Sequence, residues 1–252
     1  MAELKKIVDF LDKELKIAEI EDTGNNGLQV KGKQDVKKIA FAVDGCVEIF
    51  NKAADLEADM IIVHHGISWA DSLKYITGLN YKRIKTLIKN DISLCGYHLP
   101  LDMHPEYGNN IQLARLLDIG ELSEFGVYNK AMIGFKGMLK NETSLDDLKR
   151  IVEEKLNTKC TVLNFGRDKI KSIGIISGGG GSTLCEAIEL GLDCLIIGEG
   201  EHHLHHEAKE GKINLILAGH YETETWGVKA LMPLLKEKFG VETVFIDVPT
   251  LI

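Results

Sequence analysis

Apolar residues at the start of the chain follow a helical beat. Leu4, Ile7, Val8, Leu11 and Leu15 fall at i, i+3, i+4 spacing with Lys and Glu between them, which predicts an amphipathic helix over 3–15. A Gly/Asn-rich loop at 22–27 follows, and from residue 38 the pattern changes. KIAFAV predicts a strand, Asp44 and Gly45 punctuate it, 46–57 predicts a helix, and DMIIVHHG predicts a second strand ending in two histidines. A short helix at 81–90 leads into ISLCGYH, a third strand ending at His98, and GNNIQLARLLDIG is helical from about 109 until Gly120 stops it. The middle reads strand (AMIGFKGML), helix (144–156) and strand (CTVLNF), with Ser144 and Asp147 forming an approximate capping box. Strand–helix alternation then returns: KSIGIISGGGG, a helix over 182–190, DCLIIGEG, a His-rich segment, INLILAGH, a helix over 226–238 and VETVFIDV. This order predicts an α/β protein with parallel sheets and right-handed crossovers.

The pattern also repeats. Sliding 39–66 onto 173–200 aligns Ile39 with Ile173, Gly45 with Gly179, Ala53 with Ala187, Leu56 with Leu190, Asp59 with Asp193, Ile62 with Ile196 and Gly66 with Gly200. Seven identities in 28 positions exceed the roughly 2 that ordinary composition gives. A second register lays ISLCGYHLPLD over NLILAGHYETE, so His98 falls on His220 and Asp102 on Glu224. The expectation is two similar α/β/α lobes, 1–122 and 123–252, with a metal cleft between them. Within the second, 123–168 is a strand–helix–strand lead-in and 169–252 repeats the first lobe. Whether the C-terminal segment crosses back to complete the first lobe stays open.

Composition narrows the classes. Thirty basic against 38 acidic residues give −8, which lowers the prior for nonspecific nucleic-acid binding, since that draws on phosphate neutralisation. No run approaches 18 apolar residues, so no membrane span is expected, and the charged start does not read as a signal peptide. Five cysteines form no CxxC, and most lie in apolar segments. They read as buried thiols in a reducing, cytoplasmic setting.

The candidate chemistry gathers at strand ends, where open parallel sheets place their functional crevice. His64 and His65, His98, and His220 each close a strand, and Asp102 and Glu224 follow His98 and His220 by four residues. Imidazole with carboxylate suits Zn, Fe, Mn, Co or Ni, and six side chains exceed one closed tetrahedral site. Two divalent ions about 3.5–4 Å apart would use them and leave positions open for water or substrate. Adjacent His64 and His65 fit this only where strand alternation has ended. His202, His203, His205 and His206 form a second cluster, read as one or two cleft-lining residues with the rest solvated. Gly179 and Gly180, in the GGGG turn, resemble an anion cradle. Asp44 reads as a cap or an acceptor behind a ligand, and Trp69 and Trp226 as packing residues or walls for a planar substrate.

These motifs together resemble the NIF3-like family, also described as GTP cyclohydrolase 1 type 2 homologues. The resemblance covers nearly the whole chain and rests on NNGLQV at 25–30, the Asp-Gly turn at 44–45, IIVHHG at 61–66, YHLPLD at 97–102, GNNIQLARLL at 108–117 and AGHYETE at 218–224. It implies a dinuclear centre held by His64, His65, Asp102, His220 and Glu224, with His98 a further ligand or a proton carrier. It also implies a homohexameric ring, often a trimer of dimers. The chain departs from the family at Glu199, where an Asp is common, and at Leu99 and Pro100, where small polar residues are usual. The implied activity is metal-assisted hydrolysis of a nucleotide or related heterocycle; under the family label, water attacks C8 of GTP and formate leaves. Two other classes compete. A nucleic-acid-binding ring would use the Lys-rich stretches at 31–38 and 81–89, and a metallochaperone or metal-holding scaffold would bind ions without turnover.

Overall fold

The computed structural model describes residues 1–250. In chain order its elements are β1 (Ala2–Glu3), α1 (Leu4–Glu14), β2 (Gly27–Val30), β3 (Asp35–Val36), β4 (Lys38–Asp44), α2 (Val47–Asp55), β5 (Met60–His65), α3 (Gly78–Lys89), β6 (Ser93–Gly96) and α4 (Leu99–Met103). There follow α5 (Asn109–Leu116), β7 (Ile119–Tyr128), β8 (Ala131–Ser144), α6 (Leu145–Leu156), β9 (Thr161–Leu163), β10 (Lys169–Ile176), α7 (Leu184–Glu189), β11 (Cys194–Ile197), α8 (Leu204–Gly211), β12 (Asn214–Leu217), α9 (His220–Phe239) and β13 (Glu242–Phe245). The chain divides into two compact units. One comprises Met1–Tyr107 and Gly227–Val248, and the other Gly108–Trp226 with Pro249 and Thr250. The division falls before the 122/123 position expected, because α5 commits Leu113 and Ala114 to the second unit's core.

The first unit holds a five-stranded sheet in the order β13-β4-β5-β6-β2. Neighbours pair parallel except β2, which runs antiparallel to β6, and β13 joins β4 with Thr243 opposite Ile39. Period-two alternation sorts its central strands between two cores. Ile39, Phe41, Met60 and Ile62 pack with Ile7 and Leu11 of α1 and Leu231 and Leu235 of α9. Ala40, Ala42, Ile61 and Val63 face the other way, against Ile49 and Phe50 of α2 and Leu87 of α3. Strands buried on both faces explain the continuous apolar runs AFAV and MIIV.

The second unit's sheet runs β7-β8-β10-β11-β12-β9 and is mixed, not parallel throughout. β10, β11 and β12 are parallel, whereas β7, β8 and β9 pair antiparallel. The β7–β8 hairpin turns on Asn129 and Lys130, both at positive φ (45° and 67°), the backbone a two-residue primed turn demands. β7 has no counterpart in the periodicity reading, since its buried residues, Ile119, Phe125 and Gly126, do not alternate. Leu145, Leu148, Val152 and Leu156 of α6 pack on Ile173, Ile175 and Ile196. The expected Ser144 cap is present, its Oγ accepting from the Asp147 N–H at 3.1 Å. Among the described residues, no helix is long and apolar enough to cross a membrane.

Candidate metal centre

In the first unit three histidines meet at the carboxyl ends of β5 and β6. Donor atoms of His64, His65 and His98 lie within 4.8 Å of one another. His64 and His65 both belong to β5, yet their ring centroids are only 4.6 Å apart. Each leans toward a different neighbouring strand. His64 Nδ1 is 3.0 Å from the Tyr97 carbonyl, just past β6, and His65 Nδ1 is 2.9 Å from Asp44 Oδ1 at the end of β4. Asp102 is reached by helical spacing: His98 caps α4, and Asp102 lies four residues on with its N–H donating to the His98 carbonyl. Its Oδ2 is 3.5 Å from His64 Nε2. Both groups are buried.

Behind His98 stands Asp22, which the sequence reading did not single out. His98 Nδ1 is 2.9 Å from Asp22 Oδ1, and the carboxylate also accepts from the Gly24 and Leu99 N–H groups and the Asn26 amide. Burial alone would raise the Asp22 carboxyl, but the hydrogen bonds and charge of His98, with Asn26 and Gly24, outweigh it and hold it at about 2. The same loop secures the turn after β5. Gln29 Oε1 accepts from the Ile67 and Ser68 N–H groups, and Asn25 donates to Ser68 and Ala70. Gly66 and Gly96 permit this, because a Cβ on either would meet the Gln29 amide at under 3.0 Å.

In the second unit α9 begins at His220, so His220 and Glu224 lie one helical turn apart. His220 Nε2 is 3.0 Å from Glu224 Oε2, and its Nδ1 is 3.0 Å from Glu199 Oε1. Burial works against the charged ring, but Glu224 and Glu199 prevail and raise His220 to about 9. Gly178, at φ +60°, makes room for this pair: a Cβ there would stand 2.1 Å from Glu224 Oε1. The Gly178 carbonyl also accepts from the N–H groups of Gly180, Gly198 and Glu199. That spends one of the donors expected at Gly179 and Gly180. Gly180 is close-packed against Ile176 and Ile197, whereas a Cβ at Gly179 would meet only Glu199 Oε1, at 4.0 Å.

The remaining aromatic candidates divide. Trp69 donates from Nε1 to the Gly66 carbonyl at 2.8 Å and meets His98 edge-on, ring centroids 4.9 Å apart. Trp226 packs on the second unit's core. His202, His203, His205 and His206 are all exposed, and His205 rests on the Phe165 edge. Among the described residues none of the four joins a three-donor group.

The donor chemistry fits divalent metal. His64, His65, His98 and His220 each face a carbonyl or carboxylate oxygen through Nδ1. An Nδ1 so placed carries the ring proton, so that the Nε2 lone pair serves a ligand once that nitrogen is deprotonated, as metal binding requires. His104 is the contrast. Its Nδ1 accepts from the Glu106 and Tyr107 N–H groups, the reverse polarity, in a purely structural turn.

Comparison with known proteins places these features in context. The family model Duf34/NIF3 (NGG1p interacting factor 3) matches residues 2–251. A GTP cyclohydrolase 1 type 2 homolog from Pyrococcus abyssi is 46% identical over 98% of this chain and 99% of its own length. One from Archaeoglobus fulgidus is 43% identical over 98% of each. Among solved structures, protein ybgI, of unknown function, superposes with a TM-score of 0.91 at 35% identity, covering 99% of both chains. A Thermus thermophilus protein does so at 0.90 and 36% identity over the full length of both.

Proposed function

From membership of the Duf34/NIF3 family, to which this chain belongs, we propose that it is a divalent-metal-dependent hydrolase acting on a nucleotide or related heterocycle. The observation that carries the reading is the set of imidazoles, each with Nδ1 committed to an oxygen, grouped with buried Asp102 and Glu224. In this reading His64, His65, Asp102, His220 and Glu224 hold two ions, and the His98/Asp102 and His220/Glu224 pairs are copies of one device, a histidine with a carboxylate four residues on. Divalent ions, when bound, supply Lewis acidity that acidifies water and polarises the bond under attack. The three histidines give neutral donors, and the two carboxylates offset the cationic charge. Trp69, fixed by its hydrogen bond to Gly66, offers a rigid wall for a planar ring. Exposed Tyr75, Ile76, Leu79 and Ile88 support burial against further copies in a homohexamer.

Metal analysis and a hydrolysis screen test this. Two ions per chain are expected in the wild-type protein, and the folded Asp102→Ala, Glu224→Ala double variant should lose them. A screen of nucleotides and phosphoesters, with formate release from GTP as one readout, should find metal-dependent turnover. Retention of both ions by the double variant overturns the ligand set. Reversible metal exchange with no turnover anywhere in the screen overturns the hydrolase.

A further inference from the structure

Resting on the metal-site reading above, we infer that Asp22 is the positioning residue that holds His98 as a metal donor, with the loop at 22–26 as the clasp that fixes both. His98 Nδ1 lies 2.9 and 3.2 Å from the two Asp22 oxygens. The Asp22 side chain is 2% exposed. Gly24 N at 3.0 Å, Asn26 Nδ2 at 2.9 Å and Leu99 N at 3.1 Å also donate to it. Asn26 in turn accepts the His98 N–H at 2.7 Å, so the loop grips His98 by backbone and ring together. A carboxylate with this many donors has no rotameric freedom left.

A histidine that exchanges its Nδ1 proton with solvent needs a route on that side of the ring. Here the Nδ1 side ends in a carboxylate sealed from solvent, so exchange is confined to Nε2. That side faces metal-ligand company: the His98 ring centroid is 5.2 Å from His64 and 5.7 Å from His65. Trp69 covers the ring at 4.9 Å, and Gly24 keeps the loop close enough for the grip, since a Cβ there would stand 3.2 Å from the His98 Cβ. A carboxylate on the far nitrogen fixes the tautomer and raises the basicity of the ligating one. His64 has only a neutral carbonyl in that place. Asp22 therefore gives His98 a charge-backed donor at the edge of the first unit's cluster.

The test uses protein stripped by a chelator and titrated with Co2+, reading bound equivalents by metal analysis and geometry by visible absorption. Wild type should bind two ions. Asp22→Asn keeps a hydrogen-bond acceptor but loses the charge. It should weaken one ion by about 10- to 100-fold and alter its absorption bands. His98→Ala should produce the same loss, and the double variant no further loss. Melting of the stripped proteins checks the fold, and Asp22→Asn carries the test if Asp22→Ala does not fold. Wild-type affinity and bands in Asp22→Asn, or losses that add in the double variant, overturn the role of Asp22. A wild-type protein that binds no Co2+ overturns the underlying metal site instead.

Discussion

The two units each carry a parallel ladder in similar register, and the side chains at the carboxyl ends differ. Ile39 faces Met60 across the first parallel ladder, and at the equivalent place Ile173 faces Cys194. At the amino end both frames use the same lock. Asp59 accepts from the Lys37 and Lys38 N–H groups and pairs with Lys33, while Asp193 accepts from Lys171 and Ser172 and pairs with Arg167. At the carboxyl end the equivalents diverge. Asp44, His64 and His65 in the first unit stand where Gly178, Gly198 and Glu199 stand in the second. At the amino ends the carboxylates align strands; at the carboxyl end of the first unit the side chains are candidate donors.

The sharpest break of this comparison is at the Asp44/Gly178 pair. Gly178→Ala adds a Cβ at positive φ against Glu224, and strain with displacement of a buried carboxylate should cost about 1–3 kcal/mol. It should also weaken metal binding. Asp44→Ala removes a partner of His65 from a more open place and should cost less stability. Denaturant unfolding with metal titration reads both, and equal effects would erase the distinction.

Next come the locks. Asp59→Ala and Asp193→Ala each strand two backbone N–H groups, for about 1–3 kcal/mol apiece, and the two losses should match. Burial opposes ionisation of both carboxylates, but the hydrogen bonds and nearby cations prevail and lower their pKa values. A depressed carboxyl stabilises fully above its unfolded pKa, about 3.9, and loses that contribution as pH falls through the folded value. Stability should therefore decline in acid below about pH 4, and Asp59→Asn with Asp193→Asn should flatten the decline. The smallest effect belongs to the cations. Lys33 and Arg167 side chains are 44% and 62% exposed, so Lys33→Ala and Arg167→Ala should each cost less than about 1 kcal/mol.

Much of the frame was legible because strand and helix periods write themselves into apolar spacing. The α/β alternation, the end of β5, and the carboxylates four residues after His98 and His220 all follow local rules, whereas β6 stops at Gly96, two residues short of the expected His98. The mixed sheet was not legible, since the β7–β8 hairpin turns on Asn129 and Lys130 with no glycine to announce it. Asp22 escaped because its meaning lies in contact with a histidine 76 residues away. Conversely, His202, His203, His205 and His206 looked chemical in sequence, but Leu204 is the buried residue of that turn and the rings point outward.

The central claim is that His64, His65, Asp102, His220 and Glu224 are metal ligands. Anomalous diffraction from crystals of the metal-loaded protein, measured at the absorption edge of the bound metal, tests it most directly. The account predicts two peaks per chain, within bonding distance of donor atoms of these five residues. A single peak, or peaks with none of these side chains in bonding distance, would contradict it.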